Sequence, residues 1–119
     1  MPDNQAMPTF DKSPADLVER FGAVVEARPA LSVRKMFGYP AAFVNGNLTT
    51  SLHQATWLVR LSEASTAELT ALGGGPFEPM PGRPMRGYTT LPAEIASDPE
   101  AAGVWVDRAI DYVATLPPK

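Results

Sequence analysis

The residues with the strongest recognition chemistry in this chain fall in two similar stretches. Arg34-Lys35-Met36-Phe37-Gly38-Tyr39-Pro40 supplies Arg34, Lys35 and Tyr39, and Gly82-Arg83-Pro84-Met85-Arg86-Gly87-Tyr88 supplies Arg83, Arg86 and Tyr88. Guanidinium groups grip carboxylates and phosphates through paired hydrogen bonds, and tyrosine adds flat contact area. Together these side chains are candidates for an anion-binding or partner-binding edge. The competing reading is structural: an arginine beside a Gly-Pro turn commonly pairs with an internal carboxylate or caps carbonyls. That role outweighs the functional one, and Phe37 and Met85 read as core residues.

Catalytic chemistry finds little support. His53 is the only histidine, with no Ser-His-Asp spacing around it, and reads as a surface polar residue at a strand end. There is no cysteine, so thiol catalysis, disulfides and cysteine-bound metal are excluded. One histidine leaves a transition metal few ligands, and neither a metal nor a cofactor is expected. Gly73-Gly74-Gly75 follows a helix and lacks the Lys-Ser/Thr of a phosphate loop, so it reads as a helix stop with a flexible linker. Asp107 and Asp111, four residues apart on one helix, mark a solvated face rather than a paired-carboxylate site, and so do Glu63 and Glu68.

The net charge of −3 argues against general nucleic-acid binding, yet the charge is unevenly spread. Residues 28–90 carry six cations against three carboxylates, whereas each flank carries two cations against five. Packing of the segments against one another would neutralise part of this. The N-terminus has no basic or apolar leader pattern, and no apolar run reaches the ~18 residues of a membrane span, so a cytoplasmic location is expected.

These residues must be positioned by a single domain, expected over 13–119 behind a flexible arm at 1–12. Ser13 as N-cap, Pro14 in the first turn and Asp16 reaching back predict a first helix, whose apolar face is Leu17, Val18, Phe21, Val24 and Val25. A strand from Val33, bent at Gly38-Tyr39-Pro40, runs on to Val44. Asn45-Gly46 is the strongest hairpin signal in the chain, and the return strand is Leu48–His53. Thr56–Leu61 completes a meander of three strands, with Trp57, Val59 and Leu61 on one face. Ser62 caps a second helix. Pro76–Met80 reads as an edge strand and Met85–Leu91 as another, joined by a turn at Pro81–Pro84. Pro92 opens a helical turn, and Asp98-Pro99 caps the last helix. Strands and helices do not alternate strictly, so the class is α+β: a two-layer sandwich with helices on one face of an antiparallel sheet, in the order α-β-β-β-α-β-β-α. The second sheet face would carry Thr49 and Ser51 and be solvated or used for pairing.

The run Arg34-Lys35-Met36-Phe37-Gly38, then Phe43-Val44-Asn45-Gly46, then Pro76-Phe77 and Gly82-Arg83-Pro84-Met85-Arg86-Gly87-Tyr88 resembles the N-terminal domain family of TfoX/Sxy. The likeness extends from about Leu17 to Lys119. Where many members carry a second glycine after Gly38, this chain has Tyr39-Pro40. The resemblance implies a fold similar to that of secretion-chaperone-like domains and an association with natural competence. It supplies no catalytic residues, and the chain reads as a stand-alone domain without the C-terminal domain of full-length members.

The expected role is a small, non-enzymatic regulatory or adaptor domain acting through protein contacts, with homodimerisation through a sheet edge as one form. One alternative is a DNA-linked transcriptional cofactor, suggested by the family and the cationic middle segment, although the acidic flanks disfavour direct nucleic-acid binding. Another is an anion or small-molecule binding domain in which Arg83 and Arg86 hold a carboxylate or phosphate.

Overall fold

A computed structural model describes residues 12–119. The arm expected over residues 1–12 therefore lies, apart from Lys12, outside the described residues. Helix α1 (Ala15–Glu26) is followed by strands β1 (Ser32–Met36), β2 (Tyr39–Val44), β3 (Asn47–His53) and β4 (Thr56–Arg60). Helix α2 (Glu63–Ala71), the short strands β5 (Gly75–Pro76) and β6 (Tyr88–Thr90), the single turn α3 (Ala93–Ala96) and helix α4 (Pro99–Val113) complete the order. The six strands form one antiparallel sheet in the spatial order β1-β2-β3-β4-β6-β5. The α+β class and the antiparallel sheet are as the sequence implies.

The meander has one strand more than expected. Gly38 does not merely bend a strand; the chain reverses there, pairing Met36 with Tyr39 and Ser32 with Phe43. Phe37 and Gly38 both have positive φ, 55° and 85°, the turn conformation that matches the twist of a two-residue hairpin. Pro40 fits inside β2 because pairing with β3 begins only at Ala41, leaving no partner carbonyl for the missing N–H. The second hairpin turn, Asn45-Gly46, has nearly the same angles, 52° and 82°. In β3 the register slips after Ala42, so Thr49 is the extra residue of a bulge rather than a member of either face.

One face of the sheet carries the main core. Ala42, Val44, Leu52, Trp57 and Val59 pack against Leu17, Phe21 and Val25 of α1, Leu69 of α2 and Ala102, Val106, Ala109 and Val113 of α4. Trp57 and Phe21 meet with ring centroids 5.3 Å apart. Burying a side chain of this size contributes roughly 1.5–3 kcal/mol each, so this layer dominates folding. Its polar atoms are satisfied: the Trp57 indole donates to Thr50 Oγ1 at 2.9 Å, and that hydroxyl donates to the Leu58 carbonyl at 2.7 Å.

The helix ends follow their sequence signals unevenly. Ser62 Oγ accepts from the Ser65 amide and Asp98 accepts from the Glu100 amide, as capping residues should. The expected box at α1 does not form. Pro14 itself occupies the N-cap, its carbonyl accepting from Val18, and the buried Ser13 hydroxyl finds no partner among the described residues. The triple glycine is a built helix stop rather than a flexible linker. The Gly73 amide donates to Thr70 and the Gly74 amide to Leu69, the paired bonds of a Schellman ending. A Cβ on Gly74 would stand 2.8 Å from both Leu69 and the Thr90 carbonyl.

Two clasps tie the ends of the chain to this body. Arg28 donates to both oxygens of Asp107 (2.6 and 3.1 Å) and to the Val24 carbonyl, joining α1 to α4. The chain after α4 docks on the β2–β3 turn: Asn47 donates to the Pro117 carbonyl at 2.9 Å, and the Lys119 amide donates to Asn45 at 2.8 Å.

Candidate functional site

Strands β2 and β4 carry apolar residues on both faces, and the structure shows why. Alternation in β2 sends Ala42 and Val44 into the helix-covered core and turns Tyr39, Ala41 and Phe43 to the other face. In β4 it sends Trp57 and Val59 inward and turns Leu58 outward. Yet Tyr39, Ala41, Phe43 and Leu58 are all buried. Of the two expectations for the second face, solvated or used for pairing, the first does not hold: Ser51 lines it but is buried, as is Thr49. This face forms the floor of a groove of about 1380 Å³.

The groove has two unlike walls. On the β1 side stand Arg34, Lys35 and the hairpin tip Phe37, with Lys119 nearby. On the opposite side the segment between β5 and β6 folds back over the sheet and contributes Phe77, Pro79, Met80 and Met85. That segment is held by its own backbone: the Met85 amide donates to Phe77 at 2.8 Å and the Phe77 amide to Tyr88 at 3.3 Å. Its outer end is a tight turn in which the Arg83 amide donates to Met80, with Pro81 leading and Gly82 at φ 76°. Proline followed by a positive-φ glycine is what a type II turn requires.

Aromatic rings cover the floor. His53 stands between Tyr39 and Phe77, with centroids 5.1 and 5.3 Å away, so the lone histidine is half-buried in an aromatic row rather than free on the surface. The Arg34 guanidinium lies 4.1 Å above the Phe43 ring. Such a cation–π contact holds the charge in place while leaving its outward side available. At the far side Arg60 sits over Tyr88 at 5.6 Å. Burial raises the Tyr88 pKa above its ordinary value, and the nearby Arg60 charge and hydrogen bond offset only part of that rise.

Charge separates the groove from the rest of the chain. The protein is net negative, but among the described residues those lining the groove include Arg34, Lys35 and Lys119 and no aspartate or glutamate. Among the described residues no carboxylate pairs with Arg34, Lys35, Arg83 or Arg86; the ion pairs there are Arg20–Asp16, Arg28–Asp107 and Arg108–Glu68. Among the described residues, neutralisation between segments thus reaches Arg28 and Glu68 and leaves Arg34 and Lys35 without a carboxylate partner.

The six sequence candidates divide. Arg34, Lys35, Tyr39 and Tyr88 all border the groove. Lys35 does so although alternation puts it opposite Arg34, because β1 is the outermost strand and atoms on either side of it can border the opening. Arg83 and Arg86 do not join them. Arg83 lies in the exposed turn, and Arg86 borders a separate recess with Glu63, Thr66 and Thr70. A two-arginine grip by Arg83 and Arg86 within the groove is therefore not formed. Phe37, expected in the core, is 89% exposed, and Met80 and Met85 are also accessible. Among the contributors missed from sequence, Phe43 and Leu58 had one signal, which His53 and Phe77 lacked. Runs such as Ala41-Ala42-Phe43-Val44 and Trp57-Leu58-Val59 are apolar on both faces, the mark of strands covered on both sides.

Family comparison matches residues 23–113 to the TfoX N-terminal domain, a span that includes every strand, the groove floor and both walls except Lys119. The chain belongs to the TfoX N-terminal domain family. Membership suggests a regulatory or competence-related domain. No curated protein and no solved structure matches the chain. For this TfoX N-terminal domain the chemistry of the groove therefore rests on its own residues. They supply apolar contact area, aromatic faces and positive charge. His53 has ring neighbours and, among the described residues, no hydrogen-bond partner to orient it as a base. No three His, Asp or Glu side chains among the described residues could hold a metal ion, and no described helix is long and apolar enough to cross a membrane.

Proposed function

We propose that this TfoX N-terminal domain is a cytoplasmic regulatory adaptor that works by holding a protein partner in the groove on the open face of its sheet. The observation that carries the reading is the doubly apolar sheet. One face is sealed by helices, and the other keeps a groove floored by Phe43, Leu58 and Tyr88 with Phe37 and Met80 exposed at its mouth. Apolar surface gathered at a concave site with few polar groups is the usual form of a binding site. The accessible methionines suit it to partners of varied shape, since an unbranched thioether side chain repacks at low cost.

The test is site-specific photocrosslinking in cells, with the crosslinker placed at Phe37 or Met80 and, as control, at the exposed Val104 of α4. The expected result is a discrete protein adduct from the two groove positions and none from Val104. Equal adducts from both sides of the molecule, or none from the groove, would overturn the reading.

A further inference from the structure

The groove's charge narrows what it can hold. We infer that its occupant is an acidic, apolar peptide segment of a partner protein, with aromatic or aliphatic anchors on the floor and carboxylates against the Arg34–Lys35 wall. This rests on the groove being the binding site and adds the chemical class of the ligand.

Four observations lead there. Among the described residues the lining offers cations and no aspartate or glutamate, a poor match for a basic ligand. Arg34 is held over Phe43 without a carboxylate partner among the described residues, so an incoming carboxylate displaces no internal ion pair. The two walls differ, cations on one side and Met80, Met85 and Phe77 on the other, which suits a segment acidic along one side and apolar along the other. The volume of about 1380 Å³ exceeds the ~300–1000 Å³ typical of small-molecule sites, favouring a chain segment over a metabolite.

A second copy of the domain is a poorer occupant. A two-fold dimer closing groove on groove would bury the cations of both copies in one interface, with no carboxylate among the described lining residues to pair with them. Such like-charge contact without intervening carboxylates is unfavourable.

Phe37 marks the mouth. It occupies the first central position of a type I′ turn at φ 55°, where Asn, Asp or Gly are favoured, and it is almost fully exposed. A bulky residue carrying both backbone strain and solvent exposure is better explained by a contact made on binding than by folding.

The test is selection from a library of short random peptides on the immobilised domain, followed by anisotropy titration of the enriched sequences. The expected enrichment is in peptides that combine Asp or Glu with aromatic or aliphatic residues, and their binding should weaken several-fold from low to physiological salt. Arg34→Glu should weaken them about tenfold, and Lys35→Glu by a smaller factor. Phe37→Ser should also weaken them, with circular dichroism confirming that each variant is folded. Enriched peptides that are basic or charge-neutral would overturn the acidic assignment while leaving the groove reading intact, provided Phe37→Ser still weakens them. Acidic peptides indifferent to both Phe37→Ser and Arg34→Glu would show that the site lies elsewhere and sink both readings. An empty selection, or a concentration-dependent dimer abolished by Phe37→Ser, would overturn the peptide assignment.

Discussion

The two faces of one sheet are built from neighbouring residues of the same strands, yet they do different work. On the helix side, Trp57, Val59, Ala42 and Leu52 are closed in by three helices and the polar atoms among them are paired. On the open side, Tyr39, His53 and Phe77 pack ring against ring, Arg34 lies over Phe43, and the segment that carries Met80 and Met85 borders the same groove as Leu58. Residues adjacent in sequence thus belong in turn to a layer sealed by helices and to a layer that opens on the groove, the face proposed to bind. The two hairpin turns repeat the contrast. Asn45-Gly46 and Phe37-Gly38 share one backbone geometry, but the first docks the end of the chain while the second holds up a bare phenylalanine.

This contrast breaks most clearly at Trp57. Trp57→Ala removes a ring that is 1% exposed, together with its contact to Phe21 and its hydrogen bond to Thr50. It should cost about 3–5 kcal/mol in chemical denaturation, enough to leave a domain of this size largely unfolded. A loss below about 1 kcal/mol would mean that the helix-side layer is not the folding core.

Gly46 probes the docked turn. Its φ is +82°, and a Cβ there would stand 2.8 Å from the Lys119 carbonyl oxygen. Gly46→Val should cost roughly 1–3 kcal/mol and release the chain end, which hydrogen exchange at the Lys119 amide would report. Unchanged protection of that amide would show that the docking does not constrain the turn.

Tyr88 gives a smaller, pH-dependent effect on the groove side. Burial raises its pKa in the folded state, so the folded protein holds the phenolic proton more tightly than the unfolded chain does. The associated stability is fully present below the unfolded value near 10 and is lost as the pH rises through the folded value. Alkaline denaturation curves should therefore steepen above pH ~10 for the native protein and less so for Tyr88→Phe, with both alike at neutral pH. Identical alkaline curves would argue that Tyr88 is not buried against the groove.

The helix-side layer was legible because helical periodicity and caps are local. Asp98-Pro99, Ser62 and the apolar face Leu17–Phe21–Val24 all do what their spacing implies. Ser13 failed as a cap because Pro14 takes the N-cap itself, a one-residue shift that local pattern does not resolve. The fourth strand of the meander was hidden because Phe37-Gly38 lacks the Asn or Asp that advertises a type I′ turn. The same atypical residue hid its own exposure, since a phenylalanine between strand residues reads as core. The groove was half visible. Arg34, Lys35, Tyr39 and Tyr88 stood out by type, whereas Phe77, Met80 and Met85 reach it only because a long connection folds back over the sheet, a tertiary fact with no local signature. Arg83 and Arg86 lie apart from the groove despite the similarity of the two stretches: a tight turn carries Arg83 outward, and Arg86 faces a different recess.

The division between a folding face and a binding face is tested most directly by Phe37→Asn, measured for stability and for adduct formation from the Met80 crosslinker. Asparagine suits the turn better than phenylalanine, so the variant should be as stable as the native chain or about 0.5–1 kcal/mol more so, while the adduct is lost or much reduced. A variant that is destabilised by more than ~1 kcal/mol, or that keeps the full adduct, would contradict the account, because Phe37 would then serve the fold rather than a partner.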